Sequence, residues 1–112
     1  MDNELFILWT DDNIITTEKM VFMYAQNAVL KKWFGSVTLI IWGATAQLVT
    51  DNNEIGKKIE ELIIRGVKVS ACKACADQLG VSDKLKNLGV ELKYWGEDLT
   101  RLIREKKNLI TV

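Results

Sequence analysis

The chain has 112 residues, with 15 Lys and Arg balanced by 15 Asp and Glu, and it contains neither His nor Pro. That length fits one domain over residues 1–112, and 48% hydrophobic residues suffice for an ordinary core. A net charge of zero, with Lys and Glu interspersed, argues against a nucleic-acid or anionic-membrane surface.

The start, Met1-Asp2-Asn3-Glu4, lacks the basic opening and the long apolar stretch of a signal peptide. Leu5-Phe6-Ile7-Leu8-Trp9 is a continuous apolar run, as expected of a strand buried on both faces. After the polar loop Thr10-Asp11-Asp12-Asn13, Thr16 or Thr17 can cap a long helix reaching about Trp33. Its apolar positions (Met20, Val21, Met23, Tyr24, Ala25, Ala28, Val29, Trp33) are more than one sheet face requires. They fit either a deeply packed helix or a subunit interface. Gly35 ends the helix, and Val37-Thr38-Leu39-Ile40-Ile41-Trp42 is the second buried strand. The most apolar run, Val37 to Ala44, is too short to span a bilayer. The expectation is a soluble cytoplasmic protein, free of membrane, with reduced thiols.

Gly43 to Leu48 reads as a loop with a short helical turn. Thr50 or Asp51 starts the next helix, whose inner stripe is Ile55, Ile59, Leu62 and Ile63, and Gly66 ends it. Val67 to Ala71 is the third strand, followed by a short helix closed by Gly80. Ser82 caps another short helix, with Leu85 and Leu88 facing inward and Gly89 after it. Val90 to Trp95 is a fourth strand whose alternation suggests a wetter face near the sheet edge. Glu97 and Asp98 favour a helix start, with Leu99, Leu102 and Ile103 as core stripe. Leu109 to Val112 is a terminal strand. This alternation is the signature of an α/β sandwich with a mostly parallel sheet.

Both cysteines fall where the third strand gives way to a helix, as Cys72-Lys73-Ala74-Cys75. A first helical turn offers unpaired N–H groups and partial positive charge, so a thiol there ionises more easily and its thiolate is the reactive form. Lys73 adds to that effect if its side chain folds back. With no His and no second Cys pair, one chain cannot supply a closed zinc site, and no metal is expected. A thioredoxin fold would carry a cis-proline opposite the pair, and this chain has no proline. There is no Cys-His dyad, no P-loop and no G-x-G-x-x-G fingerprint, and no cofactor is expected.

In a parallel sheet the strand C-termini share one rim, where ligands bind. The strands end Trp9-Thr10, Trp42-Gly43, Ala71-Cys72 and Trp95-Gly96, so three of four tryptophans share the rim with Cys72. Trp9, Thr10, Trp42, Gly43, Lys73, Trp95 and Gly96 are therefore the candidate pocket around Cys72 and Cys75.

The length, the α/β order and the stretch Val69-Ser70-Ala71-Cys72, Ala76, Leu79-Gly80-Val81 resemble the DsrE/DsrF-like proteins. The likeness extends to Leu39-Ile40-Ile41-Trp42-Gly43 and Glu91-Leu92-Lys93-Tyr94-Trp95-Gly96, and covers essentially the whole chain. It implies a three-layer α/β/α sandwich with a five-stranded sheet, assembled as a dimer, trimer or hexamer. In sulfur-relay members a cysteine follows the third strand eight positions before a glycine, and Cys72 and Gly80 fit that spacing. The resemblance thus implies a sulfurtransferase-like carrier that takes sulfane sulfur as a persulfide on Cys72 from a donor protein and passes it to an acceptor. Two other expectations stand beside it. One is a dithiol redox protein cycling a Cys72–Cys75 disulfide. The other is a non-enzymatic oligomeric small-ligand-binding module with inert thiols.

Overall fold

The computed structural model describes residues 3–112. Met1 and Asp2 of the acidic start lie outside the described residues. Five strands form one parallel sheet: β1 (Glu4–Trp9), β2 (Ser36–Ile41), β3 (Lys68–Cys72), β4 (Glu91–Lys93) and β5 (Asn108–Thr111), in the order β4-β3-β2-β1-β5. The two most continuous apolar runs in the sequence are β1 and β2, which hold interior positions in the sheet. The alternating β4 lies at one edge.

The chain steps outward from β1 to β2, β3 and β4, then returns past β1 to β5. Parallel connections are almost always right-handed, so the outward steps place their helices on one face and the return step places its helix on the other. The outward helices are α1 (Ile14–Thr16), a π-helical segment (Thr17–Phe22), α2 (Met23–Leu30), α3 (Ala44–Asp51), α4 (Asn53–Ile64), α5 (Lys73–Leu79) and α6 (Ser82–Asn87). Their Val21, Ala25, Val49, Ile59, Ala76 and Leu85 pack with strand residues of one parity, such as Ile7, Leu39 and Ala71. The returning helix α7 (Gly96–Arg104) brings Leu102 against the other parity, where Ile40 and Trp95 are buried and Phe6, Leu8 and Trp42 are half-buried. The outcome is a three-layer α/β/α sandwich with one thick layer and one thin one.

Several local expectations change. The first helix is capped earlier than Thr16 or Thr17, by Asn13, whose Oδ1 accepts from the Thr16 amide at 3.0 Å. Thr17 is instead fully buried within the helix. The helix stops at Leu30, and Lys32 (φ 56°) rather than Gly35 takes the left-handed turn beyond it. Gly43 to Leu48 is the start of a true helix, α3, and α4 is capped by Asn52 through a bond from the Ile55 amide. Ser82 opens α6 without capping it; its hydroxyl donates to Asp77. Ile103 points outward, 59% exposed, because α7 meets the sheet along a narrow line through Leu102.

Candidate functional site

Two adjacent connections part company at one place on the C-terminal rim. β3 feeds α5 on the thick-layer face, and β4 feeds α7 on the opposite face. Such a divergence opens a crevice outside the strand ends, and in open α/β sheets that is where ligands bind. Cys72, the last residue of β3, stands at this point and is also the N-cap residue of α5, where its side chain makes no capping bond.

Strand alternation fixes which way the sulfur points. Val69 and Ala71 enter the thick-layer core, so Ser70 and Cys72 face the α7 side. Cys72 is buried there, with 6% of its surface open to solvent. The register pairs it with Lys93 and pairs Ser70 with Glu91. Ser70 was not among the residues expected at the site, although a lone hydroxyl of the same parity in an apolar strand was a usable signal. Its Oγ accepts from Trp95 Nε1 at 2.8 Å and donates to the Glu91 carbonyl at 3.1 Å. Trp95 is thereby fixed over the Cys72 face, and Lys93 Nζ lies 4.2 Å from the centroid of its ring. Lys93 also pairs with Asp98 at 2.6 Å. That hydrogen bond, with the charge behind it, holds the Asp98 carboxyl below the usual carboxylate range.

The other expected residues divide between the two faces. Trp42 and Trp95 share the α7 side. Trp9 does not: it is fully buried in the thick-layer core, edge-on to Phe22, and its Nε1 donates to the Asp11 carbonyl. Thr10 is taken up by Val112, whose carbonyl accepts from both its amide and its hydroxyl, beyond β2 from the thiol. Gly43 begins α3 at φ 73° and ψ −131°, a conformation that side chains resist. This turn presents the Gly43 carbonyl to the Cys75 thiol, which donates to it at 3.9 Å. The Trp42 amide donates to Thr45 Oγ1 and to the Trp9 carbonyl. Gly96 is exposed at the start of α7.

Lys73 does not fold back toward the sulfur. Its ammonium pairs with Asp77 at 2.6 Å and lies 5.6 Å from the Tyr94 ring centroid. The bond to Asp77 raises the Lys73 pKa, and the bonds from Lys73 and Ser82 lower that of Asp77. Both thiols are free. Among the described residues, no three His, Cys, Asp or Glu side chains cluster as metal ligands. Among them, too, no helix is long and apolar enough to cross a membrane.

No curated protein matches the chain. A solved structure of a conserved protein of unknown function from Bacteroides thetaiotaomicron superposes with a TM-score of 0.95 at 32% identity, over 98% of this chain and 95% of that one. The model of the DsrE/DsrF-like family, a family associated with sulfur relay, matches residues 10–112. With that match running from the end of β1 through the cysteine pair to β5, the chain belongs to the DsrE/DsrF-like family.

Proposed function

We propose that the protein is a sulfur carrier whose working atom is Cys72 Sγ. The observation that carries this reading is the place of Cys72, at the divergence of α5 and α7 on the sheet rim, in a chain of the sulfur-relay-associated family. In the accepting step, the Cys72 thiolate attacks the outer sulfur of a donor persulfide. A new S–S bond forms to Cys72, the donor's S–S bond breaks, and the donor leaves as a thiolate. In the delivering step, an acceptor thiolate attacks the outer sulfur and Cys72 returns as a thiolate. No net oxidation occurs, so neither step calls for a cofactor.

Around that atom, Trp42 and Trp95 supply an apolar wall that limits water and bulk oxidants. Cys75 rests against the Gly43 carbonyl, a turn away on α5. The reading places the carrier in a reducing, cytoplasmic setting as a homo-oligomer, with donor and acceptor proteins as partners. Exposed Ile15, Met23, Leu30 and Trp33 around the first helix offer apolar surface for self-association.

The test is mass spectrometry after incubation with a persulfide donor. Cys72 gains one sulfur atom, and Cys72→Ser loses the gain. Equal labelling of wild type and variant overturns the assignment. A reversible Cys72–Cys75 disulfide that depends equally on both cysteines, with no sulfur gained on Cys72, would instead favour dithiol chemistry.

A further inference from the structure

The β1–β2 connection carries more apolar surface than its packing on the sheet uses. Of the ten large hydrophobic residues exposed among the described residues, six belong to it: Ile14, Ile15, Met20, Met23, Leu30 and Trp33. A helical rod runs from Ile14 to Leu30, and its middle, Thr17–Phe22, is π-helical. That segment decides which of these side chains share a line. In an α-helix each residue turns by about 100°, so the eight steps from Ile15 to Met23 would overshoot two turns by about 80°. A π turn bonds i to i+5 and takes up one more residue. With one residue's rotation absorbed, Ile15 falls within about 20° of Met23. Leu30, seven steps on, falls within about 20° of Met23 on its other side. Ile15, Met23 and Leu30 are 71%, 50% and 53% exposed, while the buried line of Val21, Ala25 and Ala28 runs along the opposite side.

The two ends of this stripe differ in charge. Asp11 and Asp12, both exposed, precede the rod, and Lys31 and Lys32, both exposed, follow it. Such a face complements itself when turned end for end. The acidic end then meets the basic end, Met23 meets its own copy, and Ile15 meets Leu30. The same reversal sets the two helix dipoles antiparallel. A parallel pairing would put like charges together at both ends. Glu18 is taken up within the chain by Lys58 of α4. Lys19, exposed on the rod, falls opposite the half-buried Gln26 and Asn27 in the antiparallel register, not opposite itself. We propose that this face pairs with a second copy of the chain, as an antiparallel two-fold helix seam centred on Met23 and brought into line by the π-helical segment. The inference rests on the homo-oligomer within the function proposed above and names its interface.

The test is analytical ultracentrifugation of the full chain across the micromolar range. Wild type is expected as a dimer, or as an even-numbered assembly of dimers. Met23→Glu sets two like charges at the two-fold axis and dissociates that contact. Ile15→Ser weakens pairing more than Ile14→Ser, because only Ile15 lies on the seam. Asp12→Lys and Lys31→Glu each turn the end contacts from attraction to repulsion and weaken pairing roughly tenfold. Mixed in equal amounts, these two variants recover the pairing that each lost, since every end then meets its opposite charge. The charge effects shrink at high salt. A monomeric wild type, an odd-numbered assembly, or pairing that survives Met23→Glu overturns the proposal. So does a mixture that pairs no better than its parts. A monomer that sediments with vesicles containing phosphatidylserine would give the face to a membrane instead. Circular dichroism checks that each variant is folded, and Lys32→Glu replaces Lys31→Glu if the latter is not. No outcome involves sulfur chemistry, so the seam and the persulfide on Cys72 stand or fall separately.

Discussion

Replacing Ser70 by Ala removes the acceptor that fixes Trp95. The Trp95 Nε1–Ser70 Oγ distance of 2.8 Å is that of a well-formed bond, and the two residues are 4% and 3% exposed, so water has little room to replace the hydroxyl. Ser70→Ala leaves the indole N–H buried without a partner, at a cost of about 1–3 kcal/mol. For a chain of this length that lowers Tm by roughly 4 °C per kcal/mol. Trp95→Phe removes the donor instead, and in that background Ser70→Ala loses only the hydroxyl's own bond to the Glu91 carbonyl, about 0.5–1 kcal/mol. Urea unfolding of wild type, both single variants and the double variant measures the coupling, expected at about 1 kcal/mol or more. A coupling within the additivity error of about 0.3–0.5 kcal/mol would refute the view that Ser70 pins the indole.

Three other outcomes follow from the same geometry. Gly43→Ala meets no atom within 4 Å of an added Cβ, so its cost comes from the backbone at φ 73° alone; it should lie at about 1–3 kcal/mol by denaturant midpoint, and a neutral result would mean that the turn relaxes. Leu102→Ala should cost about 2–4 kcal/mol, with α7 amides exchanging hydrogen faster while β2 keeps its protection. Asp77 and Asp98 have folded pKa values below 3.8, so the stability they add is present above that pH and is lost as pH falls through the folded values. The Tm of Asp77→Asn/Asp98→Asn should accordingly fall less steeply than that of wild type on acidification below about pH 4, and equal slopes would remove these ion pairs from the account.

The strands were legible because interior strands of a parallel sheet are apolar on both faces, and β1 and β2 read as unbroken runs. The helix ends were less so. In Thr10-Asp11-Asp12-Asn13 every residue suits a loop, and what selects Asn13 as cap is a local turn in which Asp11 Oδ1 accepts from the Asn13 amide. The stop at Leu30 was hidden because Lys32 adopts φ 56°, a conformation more expected of Gly35 nearby. The thiol's place on the rim followed from a strand-to-helix switch visible in Ser70-Ala71-Cys72-Lys73. Its charged neighbour did not. That neighbour depends on the Cys72–Lys93 register and on which face each crossover takes, neither of which is encoded in local spacing. For the same reason Trp9, grouped with Trp42 and Trp95 by its place at a strand end, belongs to the opposite face.

Cys72 is the residue at which backbone and side chain part. Its backbone turns toward α5 and the thick layer, while its side chain points to the α7 face. The amides of the first helical turn and the side chains on the sulfur's face of the sheet are thus supplied by different elements. α5 is tied into the main core through Ala76, together with Val81 and Leu85 beyond it. α7 buries only Leu102, and the cover it shares with Trp95 rests on Ile40 and the half-buried Trp42, Phe6 and Leu8. Few buried apolar contacts place an element at the low-stability end of a structure, where local opening precedes global unfolding. Cys72, with 6% of its surface exposed, lies on the face that this lightly anchored helix occupies, while the sheet that carries it is held by the main core. The thin layer is therefore expected to open before the sheet does, an order that hydrogen exchange of α7 and β2 amides reads directly.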